Sequence, residues 1–180
     1  MKNTIDALKL FLVLTVLTGL VYPLVVWGGA RLFLTGKAGG SLVSTGGMEA
    51  GSELVGQAFA KPGYFHPRPS AIGYNPMPSG GTNQSLTSAS LRASVKDRRA
   101  GEGGKTADLL FASGSGLDPH ISPAAAKAQC ARVARARGAA ESDIISLVDS
   151  LTEGRQLGFL GEPRVNVLRL NMKLDGMPIK

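Results

Sequence analysis

The chain has 180 residues, with 20 Lys and Arg against 13 Asp and Glu, and its net charge of +7 raises the question of nucleic-acid binding. About half of that excess flanks one apolar segment, and the few aromatic residues are not interleaved with basic ones as base stacking would require. A single cysteine, Cys130, excludes an intramolecular disulfide and a Cys-rich metal site, and His66 and His120 lack the spacing of paired metal ligands. We therefore expect no nucleic-acid partner and no metal, and Cys130 is interpreted as a small buried residue.

The first predicted element is the segment from Leu10 to Ala30, 21 consecutive residues without a charge. At about 1.5 Å per residue, a helix of that length is about 30 Å long and matches the hydrocarbon core of a bilayer. Residues 10–30 are therefore predicted to be a transmembrane helix that follows a short tail, residues 1–9. Thr15, Thr18 and Gly19 are expected to pack against a partner helix, because small residues let helices approach closely.

A cleavable signal peptide is the main alternative for this segment. Lys2 and Lys9 would form its basic region, and residues 28–30 (Gly-Gly-Ala) would supply small residues for cleavage, which would release a free exported protein. The apolar region of a signal peptide is shorter, about 7–15 residues, and Trp27 is placed as an interfacial aromatic of a spanning helix. A buried core helix is disfavoured because the segment has no polar stripe. The retained anchor is the favoured interpretation.

The charges beside the segment predict its orientation by a small margin. Lys2 and Lys9 precede it, Arg31 and Lys37 follow it, and the free α-amino group adds to the N-terminal side. The positive-inside rule then favours a cytoplasmic N-terminus and an exported C-terminal domain.

Glycine and proline dominate the next part of the chain. Residues 31–50 are interpreted as a linker, and the Leu54–Phe59 stretch as a short strand. Five prolines between residues 62 and 78 exclude a regular helix or a central strand, so this stretch is predicted to be a long loop. Long loops of this kind are more often functional than idle.

The remaining residues predict regular structure. A helix is expected over residues 85–99, a buried strand over residues 109–112 and a strand over residues 164–172. The clearest signal is a helix that Ser122 caps, Pro123 opens and Gly138 ends, and a second helix is expected over residues 141–151. The predicted fold is thus a single N-terminal transmembrane helix followed by a small α+β extracytoplasmic domain, residues 51–180.

Three short motifs resemble catalytic or ligand-binding motifs, but a purely structural role explains each of them better. The glycines of residues 101–106 lack the first glycine of a P-loop, so a simple turn is favoured. Ser115, Asp118 and His120 supply the residue types of a hydrolytic triad, but they are too close in sequence to align, and no catalytic residue is predicted. The polar loop Ser79, Gly80, Gly81, Asn83 and Gln84 precedes a predicted helix, where main-chain N–H groups can bind an anion such as a phosphate.

Several long and unusual strings occur in order along the chain, namely GSELVGQ (residues 51–57), YFHPRPSA (64–71), YNP with SGGTN (74–83), ASGSGLDPHIS (112–122) and LGEPRVNV (160–167). They resemble the C subunit of the Kdp-type ATP-driven potassium uptake pumps. The resemblance covers essentially the whole chain, including the single N-terminal span.

The resemblance implies a non-catalytic accessory subunit, and the chain lacks the DKTGT phosphorylation motif of P-type catalytic subunits. It would assemble with a channel-like potassium-translocating subunit and a P-type ATP-hydrolysing subunit in a bacterial inner membrane, with its C-terminal domain in the periplasm near the ion entrance. No intrinsic cofactor is implied, and ATP would be reached through the complex.

The family is also described as raising the ATP affinity of the catalytic subunit through a loop similar to LSGGQ. The nearest match here is the Ser79–Gln84 loop, without the leading Leu. Direct nucleotide binding by this loop stays an alternative, but a domain outside the membrane cannot contact cytoplasmic ATP.

Within such a complex, the proline-rich loop and the turn of residues 113–122 are expected to be docking surfaces, since proline lowers the entropy lost on binding. The candidate partner-binding residues are Tyr64, Phe65, His66, Pro67, Arg68, Pro69, Ser115, Asp118 and His120.

Overall fold

The computed structural model describes residues 2–45, 47–101 and 106–176, and the chain divides into two compact units, Met1–Ser52 and Glu53–Lys180. Its elements are, in chain order, α1 (Lys2–Val16), a π-helical turn (Leu17–Val21), α2 (Tyr22–Phe33), α3 (Thr35–Ala38), β1 (Leu42–Thr45), β2 (Met48–Ser52), α4 (Ala89–Ala100), α5 (Ala107–Leu110), β3 (His120–Ile121), α6 (Pro123–Arg137), α7 (Glu141–Ser150), β4 (Thr152–Glu153), β5 (Arg164–Asn166) and α8 (Val167–Asp175). This confirms the predicted class, a long apolar N-terminal helix followed by a small α+β region.

The first unit begins with one continuous helix, Lys2–Phe33, which is long and apolar enough to cross a membrane. Pro23 has no N–H to donate to the carbonyl of Gly19, and the turn before it is π-helical, with the Tyr22 N–H donating to the Leu17 carbonyl. The proline is thus accommodated by a widened turn within the helix.

The small residues near this turn are satisfied within the helix itself. The hydroxyl groups of Thr15 and Thr18 donate to the carbonyls four residues earlier, at 2.8 and 2.7 Å. Such internal bonds are what a helix in lipid needs, because no water is available to it there. A Cβ built on Gly19 would meet nothing within 4 Å, so this surface is open. Its contact with a partner helix stays a prediction.

The segment interpreted as a linker carries regular structure. After α3, strands β1 and β2 form an antiparallel hairpin in which Leu42 pairs with Ser52. Gly40 and Gly47 both have positive φ, at 86° and 82°, which permits the turns on either side of β1. These two turns allow the hairpin to form. The sequence did not predict it, because residues 31–50 show no apolar periodicity.

In the second unit, helices pack on a small antiparallel sheet of order β3-β5-β4. His120 pairs with Asn166, and Thr152 pairs with Val165. The core lies among the sheet, α5, α6, α7, α8 and one loop residue. It contains Phe65, Leu109, Ile121, Ala125, Ala126, Cys130, Val133, Ala134, Ile144, Val148, Val165, Val167, Leu170 and Leu174.

The helix expected after Ser122 is confirmed in detail. The Ser122 hydroxyl accepts the Ala125 N–H at 3.2 Å, Pro123 opens α6, and Gly138 ends it with a φ of 65°. Cys130 on α6 is fully buried, as expected for a small core residue. Burial, and to a smaller extent the Glu141 carboxylate, raises the pKa of its thiol to about 11, so the thiol is protonated near pH 7.

Four local predictions need correction. No strand forms over residues 109–112: Leu109 and Leu110 end the short helix α5 and reach the core from one helical turn, and residues 111 and 112 follow the helix outside either sheet. The strand expected over residues 164–172 stops at Asn166, whose side chain accepts the Arg169 N–H at 3.1 Å and caps α8. The Leu54–Phe59 stretch joins neither sheet, and the helix expected from Ser85 begins at Ala89, after its cap Ser88.

Candidate functional site

The loop that carries YFHPRPSA is held by two buried side-chain amides. Asn171 accepts the Phe65 N–H at 2.9 Å and donates to the Phe65 carbonyl at 3.0 Å. Gln129 does the same for the next residue, His66, at 2.9 and 3.0 Å. A loop rich in proline offers no strand ladder, so these amides from α8 and α6 satisfy main-chain groups that would otherwise be buried without partners.

Tyr64 is fixed at the end of α8. Its hydroxyl donates to Asp175 at 3.0 Å, and the Arg137 guanidinium lies over its ring, 4.8 Å from the centroid. Arg137 also forms an ion pair with Asp175 and donates to the Gly63 carbonyl, both at 2.7 Å. Phe65 lies in the core with no exposed surface, and Pro67 is also buried, so these two predicted docking residues support the loop from inside.

Three of the predicted docking residues come together. Arg68 forms an ion pair with Asp118 at 3.0 Å, and the other oxygen of Asp118 accepts the His120 N–H at 3.0 Å. They line an open polar cleft of about 470 Å³, which we call the docking cleft and which also contains Asp108, Glu162 and Arg164. Such a half-buried set of paired charges suits recognition of another polar surface.

The two histidines are neutral near pH 7. Burial, and then the nearby Arg164 cation, lower the pKa of His120 below its usual 6.5, against the smaller opposite effect of Asp118. Burial and Arg132 likewise lower the pKa of His66.

His66 lies with Pro67 and Pro69 on a second, smaller pocket of about 180 Å³ that includes Arg98, Gln129 and Arg132. Six of the nine predicted docking residues are thus divided between two concavities, and Tyr64, Phe65 and Ser115 line neither of them.

The triad alternative finds no support in the geometry. The nearest approach of Asp118 to the His120 ring is 3.9 Å, and the Ser115 hydroxyl accepts the Leu117 N–H instead of facing a base. Among residues 2–45, 47–101 and 106–176, no group of three His, Cys, Asp or Glu side chains could hold a metal ion.

Three polar groups of the Ser79–Gln84 loop form hydrogen bonds within the unit. The Gly80 N–H and the Ser79 hydroxyl both donate to the Ser115 carbonyl at 3.0 Å, and Gln84 donates to the Ser90 hydroxyl at 2.9 Å. The next helix, α4, begins only at Ala89 with its own cap, so the loop is not at a helix N-terminus. The arrangement is that of a structural loop packed on the turn of residues 113–118.

Glycines allow this close packing. A Cβ on Gly81 would lie 2.9 Å from the Gly114 carbonyl oxygen, and one on Gly116 would lie 2.5 Å from Ile72 Cγ1. A Cβ on Gly56 would meet the Asp118 carbonyl oxygen at 2.7 Å. The three strings of unusual sequence around these glycines are therefore parts of one interlocked surface.

A further feature has no counterpart among the sequence predictions. Residues 155–162, which we call the apolar prong, form a tight hairpin whose base is the Arg155–Glu162 ion pair at 2.8 Å. Leu157 and Phe159 at its tip are 83% and 68% exposed. Glu162 joins the prong to the docking cleft, which it also lines. The signal in the sequence was an apolar Leu-Gly-Phe-Leu run between Gly154 and Gly161.

Comparison with known proteins decides the family. Residues 4–176 match the model of the family described as KdpC: K+-transporting ATPase, c chain. The chain belongs to the KdpC family. It is 49% identical to the potassium-transporting ATPase KdpC subunit of Koribacter versatilis, over 97% of this chain and 95% of that protein. The KdpC subunits of Methylococcus capsulatus (50% identical, 95% and 96% covered) and Geotalea uraniireducens (49%, 97% and 98%) are equally similar.

The match confirms the resemblance drawn from the sequence strings and assigns the chain to potassium transport as a KdpC subunit. The Lys2–Phe33 helix fits a single-pass membrane subunit.

Proposed function

We propose that the chain is a non-catalytic accessory subunit of a high-affinity, ATP-driven potassium uptake complex. In this proposal α1 and α2 span a bacterial inner membrane with the N-terminus in the cytoplasm, and the second unit lies in the periplasm. The docking cleft binds the channel-like potassium-translocating subunit, and a P-type subunit hydrolyses ATP. The observation that carries the proposal is the meeting of Arg68, Asp118 and His120 in one open cleft, in a member of a transporter-subunit family.

Direct nucleotide binding is not favoured. The Gly80 N–H and the Ser79 hydroxyl already donate to Ser115, which leaves these two donors engaged away from a phosphate. In the proposed topology an effect on ATP affinity reaches the site through the ATP-hydrolysing subunit. The chain needs no cofactor of its own. A reporter fused after the last residue tests this topology, since activity in the cytoplasm would contradict it.

Charge reversal at the docking cleft tests the proposed surface. Arg164 lines the cleft, is 47% exposed and pairs with Glu153 at 3.0 Å. Lys127 is a matched control, because it is also 47% exposed and pairs with Asp149 at 2.8 Å but does not line the cleft. We expect Arg164→Glu to lower co-purification with the partner subunits about tenfold or more, as reversed interface charges cost several kcal/mol, and Lys127→Glu to leave it unchanged.

Growth provides the second readout. Deleting the chain is expected to abolish growth at micromolar potassium and to leave growth at high potassium normal. Unchanged growth at low potassium, or a wild-type chain that purifies without partners in mild detergent, would contradict the accessory role.

A further inference from the structure

The apolar prong is ordered by contacts below its tip. Gln156 and Leu160 exchange two main-chain hydrogen bonds, each of 2.9 Å. Further from the tip, one residue before Gln156 and two after Leu160, a single guanidinium nitrogen of Arg155 donates to both oxygens of Glu162, at 3.0 and 2.8 Å. Two ladder bonds and this ion pair restrict the tip before binding, which reduces the entropy lost when it binds.

The residue at the first turn position, Leu157, is unfavourable for the turn. Leu157 and Gly158 have φ values of 53° and 83°, the positive pair of a type I′ turn. Such turns prefer Asn, Asp or Gly first, because other side chains are strained there. Leu157 is 83% exposed, so its packing within the described part of the chain does not compensate for this strain. Folding alone therefore gives no reason for leucine at this position.

We propose that the apolar prong is the anchor of the docking surface. It inserts Leu157 and Phe159 into an apolar pocket on the exported face of the potassium-translocating subunit. This inference rests on the proposed function. It is supported by continuity, since Glu162 belongs both to the base of the prong and to the docking cleft. A fixed apolar anchor next to a polar, charged rim is the usual anatomy of a protein interface.

The charges near the prong favour a protein pocket over a lipid surface. Arg155 is neutralised by Glu162, and Arg164 by Glu153, so the prong has no excess of basic residues to attract anionic headgroups. The Glu162 side chain is also mostly exposed and would be repelled by them. The tip has neither Trp nor Tyr, the residues that prefer a membrane interface.

The turn preference supplies a variant that separates binding from folding. Asn is favoured at positive φ, so we expect Leu157→Asn to keep or raise the stability of the chain. Because the same change removes the apolar anchor, we expect it to weaken association with the potassium-translocating subunit about tenfold or more, measured by co-purification at decreasing concentration. Normal association of Leu157→Asn would overturn the proposal.

Cross-linking identifies what the prong contacts. A benzophenone amino acid at position 157, in the assembled complex, should attach to the potassium-translocating subunit. Leu86 is the matched control, a leucine that is 85% exposed outside the prong, and the same group there should give no such product. Attachment to lipid alone, or to nothing, would overturn the prong proposal. A wild-type chain without partners would instead refute the proposed function, so the two failures are distinguishable.

Discussion

Replacing Gly116 tests whether the interlocked loops are held by close backbone contact. Its φ is 72°, and an added Cβ would lie 2.5 Å from Ile72 Cγ1 and 2.8 Å from the Gly80 carbonyl oxygen. A left-handed backbone costs a non-glycine residue about 1–2 kcal/mol, and overpacking costs about 1–3 kcal/mol more. We therefore expect Gly116→Ala to lower the free energy of unfolding by about 2–5 kcal/mol.

Gly114 provides the control, two residues away in the same turn. A Cβ there would meet nothing within 4 Å, and its φ is not in the left-handed range. Gly114→Ala should change the free energy of unfolding by about 0.5 kcal/mol or less, or stabilise slightly by restricting the unfolded chain.

The assay is urea unfolding of the full chain in detergent, followed by far-UV circular dichroism. Tryptophan fluorescence is unsuitable, because the single tryptophan, Trp27, lies in α2. Hydrogen exchange of the Gly80 amide gives a local readout, since that N–H donates to Ser115. Equal unfolding free energies for the alanine variants of Gly116 and Gly114 would refute the packing argument.

Two further predictions concern the loop and the cleft. Asn171→Ala should lower the free energy of unfolding by about 2–6 kcal/mol, because the Phe65 N–H and carbonyl each lose a partner at about 1–3 kcal/mol per buried group; a loss below 1 kcal/mol in the urea assay would contradict it. Burial lowers the pKa of His120 in the folded chain. As the pH falls through about 6.5, the unfolded chain therefore binds a proton at this residue before the folded chain does. The free energy of unfolding then decreases on acidification, by at most about 1.4 kcal/mol per pH unit for this group. His120→Gln should make that decrease smaller between pH 7 and pH 5.5, and an unchanged slope would show that His120 is not its source.

Helix caps, prolines and glycines predicted those elements whose ends they define on their own. Ser122, Pro123 and Gly138 bound α6 because a cap, a first-turn proline and a left-handed glycine act over a few residues. Asn166 was an equally local cap for α8, but the alternation of Val165 and Val167 favoured a longer strand. Short elements such as α5, with four residues, show too few periods to be recognised.

The candidate site depended on contacts that no local pattern contains. Phe65 and Asn171 are 106 residues apart, and His66 and Gln129 are 63 apart, so the sequence predicted a functional loop without the amides that hold it. The meeting of Arg68 with Asp118 is likewise a product of the tertiary fold. The separate strings of the family resemblance could be read from the sequence, whereas their packing into one surface could not.

The two amides also protect the chain from unwanted association. Consecutive residues of an extended segment direct their main-chain groups to opposite sides, and here Asn171 occupies those of Phe65 while Gln129 occupies those of His66. Neither side is left to recruit a strand from another molecule, which is the usual route to aggregation through open sheet edges. An aromatic, extended stretch can thus lie near the surface of the second unit without acting as a template for polymerisation.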